Sequence, residues 1–327
     1  MKYRIFITGS GISSKAEKLL GQEGCIIEVG TPNDTADDIA EKVLRFQPDG
    51  LIVRQGKITA GLMDAAKNLK VISKHGVGTD NIEIDEATRR GIPVFYTPKA
   101  NYNAVAEHTM ALILSLTRQI PENNQKIRNG LFDKIGYDGF ELSGKTVGLI
   151  GFGNVARRLV QLLEPFNVTV LAFHPSNSNE NMFAFVRKVN RLEEIFIASD
   201  IISIHCPLTE KTSGLVNRKT ISLMKKTVRI INTSRGGIII EKDLINALQI
   251  DRILGAALDV FENEPVDSNN PLLKMKNVIV SPHIAGLSDL SYDNMGICSV
   301  KNVISVLKNQ DIDFDSLING KVLSSRP

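Results

Sequence analysis

The segment 146–156, TVGLIGFGNVA, places Gly151, Gly153 and Ala156 directly after a strand-forming run and directly before a helical stretch at 157–163. Glycine at 151 permits a tight turn, and glycine at 153 lets backbone amides come close to a ligand. Ala156 allows the helix to pack closely on the strand. Amides gathered at a helix start suit a pyrophosphate, so the pattern predicts a dinucleotide site with Asn154 and Val155 bordering the phosphates. The following strand, 168–173, would end in an acid if it held the adenosine ribose of NAD, but the sequence has His174 there, then Pro175, Ser176 and Asn177. NAD remains the expected cofactor. NADP is admitted because a histidine with small polar neighbours tolerates a 2′-phosphate better than an aspartate does.

Three other side chains with anion or proton chemistry stand at turn signals: Arg235 before Gly236 and Gly237, Glu264 before Pro265, and His283 after Pro282. A guanidinium is a planar fork for a carboxylate, and an imidazole titrates near neutral pH. Taken singly, an arginine beside glycines reads as a solvated loop charge and a glutamate before proline as a surface turn residue. The sequence has no HExxH and no paired cysteines, so no metal site is expected. His108 reads as a packed helix residue, His205 as a residue lining the cofactor cleft, and His75 as a residue within reach of substrate.

The elements that must carry these residues alternate regularly. Strand-like runs at 3–8, 25–29, 51–53, 70–74 and 92–96 are separated by helical runs at 14–20, 35–46 and 84–90, the signature of a parallel sheet. Pro98 breaks the series. The run 103–118 has apolar residues all round its helical wheel, which predicts a helix buried on several sides and suits a crossover between domains. A polar connection is predicted over 121–142. A second βα series then runs from 145 to about 281, and a terminal helix at 287–307 is expected to return to the first domain. The fold class is therefore α/β with two doubly wound parallel-sheet domains, one flavodoxin-like and one an inserted Rossmann domain. The expected boundaries are 1–100 plus 287–327 for the substrate domain and 101–286 for the dinucleotide-binding domain.

The chain has 327 residues, and its 39 Lys and Arg against 36 Asp and Glu leave a net charge of only +3. These charges are scattered, which argues against nucleic acid or lipid as a partner. The three cysteines, Cys25, Cys206 and Cys298, are far apart, so no disulfide framework is expected and a reducing, cytoplasmic location fits. No stretch is long and apolar enough to span a bilayer.

Three segments, 231–237 (INTSRGG), 255–265 (GAALDVFENEP) and 281–286 (SPHIAG), resemble the D-isomer-specific 2-hydroxyacid dehydrogenase family, and VAEHT at 105–109 and KHGVGTDN at 74–81 extend the likeness over nearly the whole chain. The resemblance implies hydride transfer between a nicotinamide cofactor and a D-2-hydroxy acid/2-keto acid pair of the phosphoglycerate, hydroxypyruvate or glyoxylate type. It gives Arg235 the substrate carboxylate, His283 the proton at the C2 oxygen, and Glu264 the task of holding the imidazole. It also implies that Gly76, Val77 and Gly78 meet the substrate carboxylate, with Arg54 and Lys74 nearby. Pro207, Thr212, Thr233, Ser234, Asp259 and Gly286 would line the cofactor. A homodimer packed through the helix at 103–118 is a further implication. Ile240, where similar sequences carry an acid, is expected to affect local capping only. One rival reading keeps the same fold and residues as a dinucleotide-sensing, corepressor-like scaffold for protein partners.

Overall fold

The computed structural model describes residues 2–174 and 183–324, so Pro175, Ser176 and Asn177 lie outside the described residues. The chain divides into two compact units, Met1–Asn101 with Leu287–Pro327, and Tyr102–Gly286.

In the first unit the order is β1 (Arg4–Ile7), α1 (Ser14–Gln22), β2 (Ile26–Val29), α2 (Ala36–Phe46), β3 (Gly50–Val53), α3 (Ala60–Ala65), β4 (Val71–Lys74), α4 (Ile84–Arg89) and β5 (Val94–Phe95). The strands form one parallel sheet in the order β2-β1-β3-β4-β5, the flavodoxin-like arrangement. Local chemistry fixes where the helices begin. Thr35 and Asp38 form a reciprocal capping box at the start of α2, satisfying two otherwise orphaned donors. β3 is buried on both faces, which is why it reads as an unbroken apolar run.

The second unit contains α5 (Tyr102–Thr117), α6 (Ile120–Arg128), β6 (Thr146–Ile150), α7 (Asn154–Leu163), β7 (Thr169–Phe173), β8 (Val186–Val189), α8 (Leu192–Ala198), β9 (Ile201–Ile204), α9 (Arg218–Ile221), β10 (Arg229–Asn232), α10 (Glu241–Gln249), β11 (Gly255–Leu258) and β12 (Val278–Val280). Its parallel sheet runs β12-β11-β10-β9-β6-β7-β8, so the direction of winding reverses between β6 and β9. In open α/β sheets, ligands bind beyond the carboxyl ends of the strands at such a reversal. One core layer joins Ala106, Ile113 and Leu116 of α5 to Val147 and Leu149 of β6 and to Ala156, Leu159 and Val160 of α7.

The chain then returns to the first unit with α11 (Asp289–Leu307), capped by Ser288, and α12 (Lys321–Ser324). Val300, Val303, Ile304, Val306 and Leu307 of α11 share a core cluster with Ile5, Ile7, Ile52 and Val71 of the sheet.

Among the elements that depart from the sequence expectation, α3 is only six residues long, and α6 occupies part of the predicted polar connection. It buries none of its residues, so hydrophobic periodicity could not reveal it. It is held by pairs one turn apart, including Lys126 Nζ to Glu122 Oε1 at 3.1 Å and Asn123 Nδ2 donating to the Gln119 carbonyl at 2.9 Å.

Candidate active site

In the second unit, the Gly151 turn follows β6 as the sequence requires. Gly151 has φ +97°, and a Cβ there would lie 2.6 Å from the His205 carbonyl oxygen and 2.9 Å from the Cys206 nitrogen. A side chain is therefore excluded at the turn where β6 meets the segment leaving β9. Gly153 is the N-cap of α7, no side chain caps that helix start, and a Cβ on Gly153 would meet nothing within 4 Å. An open approach to a helix N-terminus fits a pyrophosphate on chemical grounds. His174 directly follows β7.

The loop after β9 is tied internally: the Thr212 hydroxyl donates to the Pro207 carbonyl at 2.6 Å and accepts from the Thr209 amide at 2.7 Å. Ser203 and His205 Nε2 lie 2.8 Å apart. Burial lowers the His205 pKa to about 4, which keeps that ring neutral at physiological pH.

Beyond β10, Asn232 braces the next turn from both sides. Its Nδ2 donates to the Arg235 carbonyl at 2.9 Å and its Oδ1 accepts from the Ser234 amide at 3.0 Å. The Ser234 hydroxyl donates to the Cys206 carbonyl at 3.0 Å, and Thr233 Oγ1 lies 2.9 Å from Thr109 Oγ1 on α5. Arg235 is extended at φ −145°, half-buried, and its Nη1 donates to the Ser234 carbonyl at 2.7 Å. Ile240 is the N-cap of α10 and makes no side-chain capping bond.

The segment after β12 carries the main geometric result. His283 Nδ1 lies 2.7 Å from Glu264 Oε2, while Glu264 Oε1 accepts from the Phe261 amide at 3.0 Å. A carboxylate only accepts, so the Nδ1 proton points at Glu264 and Nε2 is left as the reactive nitrogen. His283 has φ +53°, a left-handed conformation that costs a non-glycine residue on the order of 1–3 kcal/mol and needs surrounding bonds to hold it. Asp259, only 1% exposed, supplies them. Its carbonyl accepts from the His283 amide at 2.8 Å, and its carboxylate accepts from the Ile284 and Ala285 amides at 3.0 and 2.8 Å and from the Ser281 hydroxyl at 2.6 Å.

His108 does more than pack its helix, since its Nε2 is 3.1 Å from Ser281 Oγ and 3.7 Å from Asp259 Oδ1. Sequence reasoning passed over Asn232 and Ser281. Both lie inside the segments that carry the family resemblance, 231–237 and 281–286, but nothing in the sequence marked them as supports of a turn.

In the first unit, Arg54 follows β3 and its Nη1 donates to the Ser10 carbonyl at 2.6 Å, with the guanidinium 5.2 Å from the Tyr292 ring centre. Lys74 closes β4 and donates from Nζ to the Arg54 carbonyl at 3.0 Å and to Asn81 Oδ1 at 3.1 Å. The Gly76 amide donates to Thr97 Oγ1 at 3.0 Å, so it is committed within the fold. Among the described residues, the Val77 and Gly78 amides have no such bond. His75 is buried against Tyr292, with ring centres 5.4 Å apart; burial, aided by the nearby Arg54 charge, lowers its pKa to about 4.

Among the described residues, no group of three or more His, Cys, Asp or Glu side chains could hold a metal ion. No described helix is long and apolar enough to cross a membrane.

Residues 110–285 match the model of the D-isomer-specific 2-hydroxyacid dehydrogenase NAD-binding domain. The chain is 42% identical over 277 residues to a glyoxylate reductase of Thermofilum pendens, covering 83% of this chain and 81% of that protein. It is 35% identical over 298 residues to a D-3-phosphoglycerate dehydrogenase of Archaeoglobus fulgidus, covering 91% of this chain and 56% of the relative, so it spans little more than half the length of that protein. Among solved structures, the NADPH-dependent glyoxylate/hydroxypyruvate reductase of Sinorhizobium meliloti, in complex with NADP and malonate, superposes with a TM-score of 0.83 at 28% identity, covering 97% of each chain. The chain belongs to the D-isomer-specific 2-hydroxyacid dehydrogenase family.

Proposed function

We propose that this protein is an NAD(P)-dependent oxidoreductase that interconverts a small D-2-hydroxy acid and its 2-keto acid. The observation that carries the reading is the 2.7 Å contact between His283 Nδ1 and Glu264 Oε2, on a turn built by Asp259. A bound nicotinamide supplies or accepts the hydride. His283 gives its Nε2 proton to the C2 oxygen during reduction and takes it back during oxidation. Glu264 holds the ring in place through its Nδ1. Arg235 grips the substrate carboxylate as a planar fork. In the first unit, the Val77 and Gly78 amides, with Arg54 and Lys74 nearby, offer further donors to an anionic substrate.

Gly151, Gly153, Asn154 and Val155 take the pyrophosphate, and Pro207, Thr212, Thr233, Ser234, Asp259 and Gly286 border the remainder of the cofactor. NAD is the preferred dinucleotide, with NADP admitted by His174. The test follows loss of the reduced-nicotinamide absorbance with NADH and NADPH in parallel against glyoxylate, hydroxypyruvate, 3-phosphohydroxypyruvate and pyruvate. Turnover with NADH ahead of NADPH is expected. Binding of either cofactor without turnover of any keto acid would overturn the enzymatic reading in favour of a dinucleotide-sensing scaffold.

The same reading includes a cytoplasmic homodimer. Exposed apolar side chains at Ile120, Ile127, Leu131, Phe132 and Ile135, just beyond α5, support self-association. Light scattering on the eluted protein should give twice the chain mass, and a single chain mass would sink the dimer.

A further inference from the structure

Helix α5 anchors a chain of hydrogen bonds that ends at the turn carrying His283. Ala106, Ile113 and Leu116 fix the helix in a core layer with β6 and α7. On the same helix, His108 Nε2 lies 3.1 Å from Ser281 Oγ, and the Ser281 hydroxyl donates to Asp259 Oδ1 at 2.6 Å. Asp259 in turn shapes residues 283–285. Its Oδ1 also accepts from the Ile284 amide at 3.0 Å, its Oδ2 accepts from the Ala285 amide at 2.8 Å, and its carbonyl accepts from the His283 amide at 2.8 Å. Every member of this chain belongs to the second unit.

Proton counting fixes the direction of the chain. A hydroxyl has one hydrogen, and the shorter contact gives it to Asp259, whose carboxylate only accepts. The Ser281 lone pair then faces His108, so Nε2 carries a hydrogen and donates. A bare Nε2 would compete for the Ser281 hydrogen and set two acceptors against one donor. A hydroxyl that accepts a hydrogen bond becomes a stronger donor, so His108 tightens the bond that Ser281 makes to the buried carboxylate. That bond matters because His283 has φ +53°, and a residue other than glycine keeps a left-handed backbone only where its surroundings over-determine it. Each bond lost around Asp259 releases part of that constraint.

We propose that His108 is a positioning residue for proton transfer, holding the His283 turn through Ser281 and Asp259. The inference rests on the reading of His283 as the acid and base of a keto-acid reductase. Its expected signature is a loss in kcat with little change in KM, because the grip on the substrate carboxylate is assigned to Arg235, on a different turn that follows β10.

The test compares wild type with H108A, H108L, H108Q, S281A and H108A/S281A. One arm is steady-state reduction of glyoxylate or hydroxypyruvate, whichever the wild type reduces faster; the other is amide hydrogen exchange of the peptide covering residues 279–286. H108A is expected to lower kcat by about ten- to a hundredfold, the scale of a small misplacement of a reacting group. KM and the Kd for NADH should stay within about threefold of wild type. H108L keeps bulk without a donor and should match H108A, which separates the hydrogen bond from packing and serves if H108A does not fold. Glutamine carries a side-chain amide donor at similar reach, so H108Q should recover kcat to within about threefold. S281A should lose at least as much as H108A, and the double variant no more than S281A alone, because two links of one chain are not additive. Exchange over 279–286 should be about tenfold faster in H108A and H108L and near wild type in H108Q. Wild-type kcat in H108A or H108L, an equal loss in H108Q, additive losses in the double variant, or unchanged exchange in folded H108L overturns the proposal. If the wild type reduces neither keto acid, the enzymatic reading fails by itself, and the exchange arm alone decides whether His108 holds the turn.

Discussion

Replacing His283 with alanine is expected to lower kcat by about 10²–10⁴-fold, the usual contribution of a positioned general acid or base, while the Kd for NADH changes by no more than a few fold. The reason lies in where the ring sits. Its Nδ1 is occupied by Glu264, and its backbone belongs to a turn whose shape is dictated by Asp259 through the amides of residues 283, 284 and 285. Truncating the imbedded ring's chemistry at Cβ leaves those backbone bonds in place, so the loss should fall on proton transfer and not on the dinucleotide. Stopped-flow turnover paired with fluorescence titration of NADH would separate the two. Near-normal kcat in H283A would remove His283 from the reaction.

Gly236→Ala should have the largest effect on stability. A Cβ at position 236 would sit 1.8 Å from the Phe261 carbonyl oxygen and 2.5 Å from the Glu262 nitrogen, and backbone atoms cannot swing aside as a flexible side chain can. Overpacking of this kind costs about 1–3 kcal/mol and occasionally more, and the severity of the overlap puts this site at or above the top of that range. The displacement would also separate two functional segments, because Gly236 adjoins Arg235 and Phe261 donates its amide to Glu264. Urea denaturation should show a lower midpoint, with activity falling alongside. Gly153→Ala is the control: nothing lies within 4 Å of its added Cβ, so stability should stay within about 1 kcal/mol. Equal midpoints for the two variants would refute the close approach at Gly236.

The architecture was legible where burial imposes a period. Buried strands such as β3 read as apolar runs, and the Gly151 motif was recognisable because a strand and a helix flank it. The resemblance to a known family, not spacing, gave the pairing of His283 with Glu264, because residues 19 positions apart carry no local sign of contact. Helix α6 was invisible because it buries nothing. The commitment of the Gly76 amide to Thr97, and the support of the His283 turn by a buried Asp259, depend on side chains meeting across the fold. One-dimensional patterns do not encode such meetings.

The insertion of the second unit within the first has a consequence for biosynthesis. As the chain emerges from the ribosome, residues 102–286 can complete a continuous folding unit while the five-stranded sheet made earlier still lacks α11. Until residues 287–307 follow, Ile5, Ile7, Ile52 and Val71 have no partners from that helix, and a sheet face waiting uncovered during translation is prone to aggregation. The vulnerable interval is therefore set by the time needed to translate the inserted unit, and of the two units it is the one interrupted by the insertion that depends longer on chaperone protection.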